Sequence, residues 1–271
     1  MKTSLLALLL TAVLLGPGLA AAADEDGPKA DLKRVVGLIK DKLKDGKKTP
    51  ADLAPELAEF DKALAKYKDQ KTEDVANLAY MKAVLYLQVF EDETKGAELL
   101  KQLSQDFPGT KFAQTADSQL KTMKAQENMA VGKQFPDFSE TDLAGKPLSV
   151  AGFKGKVLLV DFWATWCGPC IRELPSVKQT YEKYQGKGFA ILGISLDSDK
   201  EKLTGFLAKN EMPWKQFFDG QGWKNKLAQQ YGINSIPATY LLDATGKVIA
   251  KNLRGPDLEA AVAKALGKDK P

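Results

Sequence analysis

A chain of 271 residues, 44% hydrophobic and 27% charged, has the composition of a soluble globular protein with room for two domains. Its net charge of +4 is small and the two signs are interspersed, which argues against a nucleic-acid partner; runs such as Lys40–Lys48 read as a solvated helix face and turn. Histidine is absent, which excludes a Ser–His or Cys–His nucleophile pair and a His-ligated metal, and two cysteines supply only half of a four-ligand zinc site, so no cofactor and no metal are expected.

Residues 1–23 read as an export signal. Lys2 gives a positive start, Leu5 to Leu15 form an apolar core too short to span a bilayer, and Gly16-Pro17-Gly18 breaks it. The small residues Ala20 to Ala23 place cleavage near Ala22–Asp24. No cysteine follows the apolar core, so lipid anchoring by that route is excluded; an uncleaved membrane anchor is the other reading of this segment. Export places the protein in the periplasm or another extracytoplasmic compartment, where disulfides persist.

Residues 24–129 are patterned as helices. Leu32, Val35, Val36, Ile39 and Leu43 share one face. Thr49-Pro50 predicts a cap and first helical residue, followed by the stripe Leu53, Leu57, Phe60, Leu64 and Tyr67. Thr72-Glu73-Asp74 starts a third helix containing Leu78, Met81, Leu85 and Val89. Ala97, Leu100 and Leu103 mark a fourth, ending at Phe107-Pro108-Gly109, and Phe112, Ala116, Leu120 and Met123 a fifth. Short, closely linked helices predict an all-α domain of antiparallel hairpins. The stretch from Ala97 to Thr110, with Ala113 and Ala116, is similar to the corner of a tetratricopeptide-type repeat, although no ~34-residue self-similarity runs through the domain. Nothing in it carries catalytic chemistry; a protein partner is the role it could serve.

From residue 130 to 271 strands alternate with helices. Residues 135–139 and 146–150 predict a small hairpin around Ala144-Gly145. Strands follow at 156–163, 189–195 and 214–218, with helices at 167–184, 199–210 and 222–231. Two strands, 238–242 and 248–253, are joined by the turn 244–247, and a helix over 257–266 closes the domain. This order is an α/β fold with a central mixed sheet and helices on both faces.

Both cysteines lie in Trp166-Cys167-Gly168-Pro169-Cys170, between a buried strand and a helix start. Two thiols two residues apart close a small reversible disulfide and have no third cysteine with which to scramble. A structural staple is the bland alternative, but so short a loop restrains little of the unfolded chain. Cys167 sits where a helix N-terminus favours the thiolate. That gain is small beside the effect of holding Cys170 next to a mixed disulfide, which makes the second exchange intramolecular.

Three stretches resemble the thioredoxin superfamily, and more closely the exported thiol–disulfide oxidoreductases of the TlpA/ResA type. They are Gly132-x-x-Phe-Pro-Asp-Phe138 with Gly155-Lys156; Val160 to Cys170 continuing to Glu173-Leu-Pro175; and Tyr231-Gly-Ile-Asn-Ser-Ile-Pro237 with Thr239. The resemblance covers about residues 130–268. It implies a thioredoxin-like fold and a protein-disulfide reductase in which Cys167 attacks a disulfide-containing protein and Cys170 resolves the mixed disulfide. A membrane-bound thiol donor would restore the dithiol. It further implies a proton-relaying carboxylate at Asp161, a second tuning carboxylate at Glu173, and a cis proline at Pro237 that lays the Ile236 backbone against Cys167 and the substrate. Trp166, Gly168 and Pro169 would meet the substrate, and Trp163 would belong to the core.

The bland readings are a backbone-bonded strand residue for Asp161, a surface helix charge for Glu173 and an ordinary trans proline for Pro237. One departure stands out: thioredoxins place a lysine on the next central strand, near the buried aspartate, and Ala190 to Ser195 holds none, which leaves the role of Asp161 open. Other functions compatible with these residues are a disulfide oxidase or isomerase, and an interaction protein whose helical half holds a partner. Peroxide reduction is disfavoured, because Ala164 stands where peroxiredoxins carry threonine.

Overall fold

The computed structural model describes residues 26–267; the expected export signal over residues 1–23 lies outside them. Among the described residues no helix is long and apolar enough to cross a membrane. They divide into two compact units, one ending at Leu120 and one beginning at Lys121, so the division falls inside a helix.

The first unit holds α1 (Pro28–Lys44), α2 (Ala54–Lys66), α3 (Glu73–Gln88), α4 (Glu93–Asp106) and the start of α5 (Lys111–Asn128). Thr72 Oγ1 caps α3 by accepting the Val75 N–H, and Asp92 caps α4 by accepting that of Lys95. Leu32, Val35, Ile39, Leu53, Phe60, Leu78, Leu100 and Leu103 form the core. Gly96 lets α4 approach α3: a Cβ there would lie 2.3 Å from Leu87 Cδ2. The helix start expected at Thr49-Pro50 is displaced to Ala54. Thr49 and Asp52 close on each other instead, the Thr49 N–H and Oγ1–H donating to Asp52 Oδ2 (3.1 and 2.7 Å) and the Asp52 N–H to Thr49 Oγ1 (3.2 Å). That pair completes a separate turn, and Pro55 takes the place in the first turn of α2 expected for Pro50.

The second unit opens with a hairpin of β1 (Glu140–Thr141) and β2 (Pro147–Leu148). Residues 135–139 are not its first strand, because their polar groups are used elsewhere. Pro136 has no N–H and its carbonyl accepts the Tyr231 hydroxyl (2.7 Å), while the Asp137 carboxylate accepts the N–H groups of Phe138, Val150 and Ala151. The sheet then comprises β3 (Val157–Trp163), β4 (Phe189–Ser195), β5 (Lys215–Phe218), β6 (Ala238–Leu242) and β7 (Val248–Lys251), in the order β5-β4-β3-β6-β7. β3, β4 and β5 are parallel; β6 runs antiparallel to β3 and to β7. The parallel neighbours are linked by crossover helices, α6 (Gly168–Tyr184) and α7 (Lys200–Lys209).

Every residue of β3 and β4 is buried, as in central strands covered on both faces. Gly193 inside β4 leaves room for Gln216 of β5, whose Oε1 accepts the Trp163 indole N–H (3.0 Å); a Cβ at Gly193 would lie 2.0 Å from that oxygen. The helix expected over 222–231 is split. A 3₁₀ turn (Gly222–Lys224) precedes Asn225, whose Oδ1 caps α8 (Lys226–Gln230) through the N–H groups of Leu227 and Ala228. The final helix, α9 (Pro256–Ala265), packs beside α6. The last turns of α5 belong to this unit: the Gln126 side-chain amide donates to the carbonyls of Tyr231 and Gly232 and accepts from the Tyr240 hydroxyl.

Candidate active site

β3 ends at Trp163 and α6 begins at Gly168, which leaves Ala164 to Cys167 as the turn that delivers the first cysteine. Asp197, buried just beyond β4, fixes this turn: its carboxylate accepts the Thr165 N–H (3.0 Å), the Thr165 hydroxyl and the Ser195 hydroxyl (2.8 Å). Cys167 is then the N-cap of α6, its Sγ accepting the Cys170 N–H at 3.2 Å where a capping oxygen would stand. Cys167 and Cys170 form a disulfide with an S–S distance of 2.02 Å. Both residues are only 5% exposed. The assignment of Cys167 as the attacking residue therefore rests on its place ahead of the helix, while Cys170 lies within the first turn.

Trp166, Gly168 and Pro169, the chain neighbours of the two cysteines, are all exposed. Trp166 is joined by Trp223, which the sequence did not single out; their ring centroids are 6.0 Å apart and both indoles face solvent. Trp163 is buried, as expected of a core residue. The Ile236–Pro237 peptide is cis, and both residues are half-buried.

Beneath the disulfide is a cavity of about 10 Å³, the lower limit for one water molecule, lined by Asp161, Cys170, Glu173, Pro237, Thr239 and Arg254 among others. It brings together four residues read from sequence and adds Arg254. Asp161 is 8% exposed, between Gly193 and Thr239 in the strand register. Burial pushes its carboxyl up to about 7, partly offset by the charge of Arg254. The cation absent from β4 is thus supplied by the segment after β7. Glu173 is half-buried and accepts the Gly255 N–H at 3.0 Å, so it is tied to the backbone beside Arg254.

A wider cavity, about 590 Å³, is elsewhere. It lies at the start of β3, lined by Phe135, Leu158, Leu242 and three lysines among others, and holds none of the candidate catalytic or substrate-binding residues. Among the described residues no cluster of three or more Cys, Asp or Glu side chains is arranged to hold a metal ion.

The chain is similar to several known proteins. Residues 130–267 match the Redoxin family. The thiol-disulfide oxidoreductase ResA of Bacillus thuringiensis is 32% identical over 146 residues, spanning 54% of this chain and 82% of that protein. The thioredoxin-like protein YneN of Bacillus subtilis is 30% identical over 128 residues, 46% of this chain and 72% of its own. The thioredoxin domain of a thiol-disulfide oxidoreductase from Bacteroides vulgatus is 35% identical, covering 51% of this chain and 98% of that domain with a TM-score of 0.47. A mixed sheet whose central strand hands a vicinal cysteine pair to a helix N-terminus defines an oxidoreductase of the thioredoxin class. More narrowly, the chain belongs to the Redoxin family and is a thiol–disulfide oxidoreductase of the TlpA/ResA type.

Proposed function

We propose that this protein is exported and acts outside the cytoplasm as a protein-disulfide reductase, with Cys167 attacking and Cys170 resolving. The observation that carries the reading is the Cys167–Cys170 disulfide, closed across the first turn of α6 and set over a cavity that contains a buried carboxylic acid. In the reduced protein the Cys167 thiolate attacks one sulfur of a substrate disulfide. The substrate S–S bond breaks, a Cys167–substrate bond forms, and the departing sulfur takes up a proton. The Cys170 thiol passes its proton to the Asp161 carboxylate and attacks Cys167 Sγ. The bond to substrate breaks, the second substrate sulfur leaves as thiolate and is protonated, and two electrons have moved from protein to substrate. The disulfide seen here is the product of that cycle, and a membrane-bound thiol donor returns the two electrons.

Asp161 suits the proton step because burial places its ionisation near neutrality, where it holds and yields a proton with similar ease. The exposed Trp166–Gly168–Pro169 face and the cis Ile236–Pro237 peptide are the surfaces on which an extended substrate segment would lie.

Trapping tests the assignment. Cys170→Ser accumulates mixed disulfides through Cys167, identified by mass spectrometry after acid quench, and Cys167→Ser accumulates none. If Cys170→Ser yields no adduct while the unmodified protein reduces the same test disulfide, the roles are wrong.

A further inference from the structure

The segment Asn252–Gly255 between β7 and α9 is tied on both sides of the cavity beneath the disulfide. Asn252 donates its N–H to the Thr239 carbonyl (2.8 Å) and accepts the Thr239 N–H on Oδ1 (3.2 Å). Gly255 donates its N–H to Glu173 and its carbonyl accepts the Ser176 hydroxyl (2.9 Å). Between these anchors the Arg254 guanidinium forks. Nη2 donates to the Pro237 carbonyl at 2.7 Å, and Nη1 to Thr239 Oγ1 at 3.2 Å and the Leu253 carbonyl at 2.8 Å. A planar fork suits two acceptors held at fixed spacing, which a lysine ammonium does not match.

The charges around Asp161 are few. With Cys170 held in the disulfide, the titratable groups sharing its cavity are Glu173 from α6 and Arg254 from this segment; its register partners, Gly193 on β4 and Thr239 on β6, are neutral. Arg254 is the sole cation among the residues that line the cavity. A buried carboxylate must either keep its proton or face a positive group. The hydrogen bonds of the guanidinium go to Pro237, Thr239 and Leu253, so it acts on Asp161 through its charge across the cavity.

We infer that Arg254 is a positioning residue that ties the Ile236–Pro237 loop to the proton acceptor: one guanidinium holds the Pro237 carbonyl and brings its positive charge to the cavity that Asp161 lines. Its consequence for Cys170 rests on the reductase reading above; the link between Arg254 and Asp161 does not.

The test titrates Asp161 directly, by infrared difference spectroscopy of the oxidised full chain labelled with 13C-aspartate, Asp161→Asn serving to assign the carboxyl band. The wild type titrates near pH 7. Arg254→Gln moves the titration upward by about one unit or more, and Arg254→Lys returns it toward the wild-type value. In Arg254→Lys the KM for a protein disulfide stays raised, because the fork on Pro237 is lost. In single-turnover release of a mixed disulfide, the pH inflection moves the same way as the infrared titration. A folded Arg254→Gln protein with an unmoved titration overturns the inference. If Arg254→Gln does not fold, Arg254→Lys decides, because it keeps the charge and loses the fork: a titration held near the wild-type value supports the charge link, and one raised by about a unit or more overturns it. A shifted titration in a protein that reduces no disulfide would sink the reductase reading and leave this one standing.

Discussion

The two units treat buried polarity differently. In the helical unit only Glu56 and Thr110 are buried polar residues among the described ones, and charges pair near the surface, as Arg34 does with Glu59 and Lys82 with Asp61. In the redox unit Asp161, Thr180, Ser195, Asp197, Gln216, Asn225 and Thr239 are buried. Thr180 bonds to the Ser176 carbonyl within α6, and the other six lie at or next to the sheet end that carries the dithiol. Asp197 holds Thr165, Gln216 holds Trp163, Asn225 donates to the Ser195 carbonyl, and Thr239 meets Arg254. Removing a polar group from water is unfavourable unless it is bonded. A bonded network offsets that cost by fixing one geometry, and Gln216 Nε2, buried without a hydrogen-bond partner, is the exception in it. Helical packing needs no such device, so the contrast marks where the chain trades stability for position.

The contrast should break most sharply at Asp161. With Asp161→Asn, the resolving step is expected to slow by about 100-fold at neutral pH, read as slower release of a mixed disulfide in single-turnover experiments. The same group is a stability liability. Its carboxyl ionises near 3.8 in the unfolded chain and at about 7 in the fold. As pH rises through that window the unfolded chain gives up a proton that the fold retains, so folding weakens by up to roughly 4 kcal/mol and then levels off. The oxidised Asp161→Asn protein is therefore more stable than the wild type at about pH 8, and the two converge near pH 4. Urea unfolding at both pH values measures this, and a wild-type stability flat across the window would contradict the burial of a proton-holding acid.

A smaller effect sharpens the other side. Gly96→Val forces a side chain onto Leu87 and should destabilise the helical unit by about 1–3 kcal/mol by circular dichroism melting. The alkylation rate of the reduced Cys167 should not change. Smallest is Trp223→Ala, which removes half of the exposed indole pair. The KM for a protein disulfide should rise about five-fold, roughly 1 kcal/mol, while that for a small-molecule disulfide stays constant.

Much of this was legible in the sequence where one local signal sufficed. Phe189–Ser195 was read to the residue because an unbroken apolar run is the pattern of a strand buried on both faces. The dithiol and the cis proline came from motif and order. The misreadings share a cause: a side chain with two uses. Thr49 and Asp52 look like a helix cap and make a closed turn; Asn225 interrupts a helical pattern in order to cap α8 and bind β4. Arg254 and Trp223 were missed because tertiary folding brings them to the site from distant positions. A faint signal for Arg254 existed, since only three of the 39 basic residues are arginine: Arg34, Arg172 and Arg254. Asp197 carried none beyond its place after a strand.

The anchoring of Thr165 by Asp197 bears on any attempt to transplant this chemistry. A pentapeptide Trp-Cys-Gly-Pro-Cys spliced onto a foreign helix would bring both sulfurs but not the carboxylate that holds the turn ahead of them. Grafting the activity means copying the ends of three strands and the connector that follows a fourth, so the smallest portable part is most of the sheet.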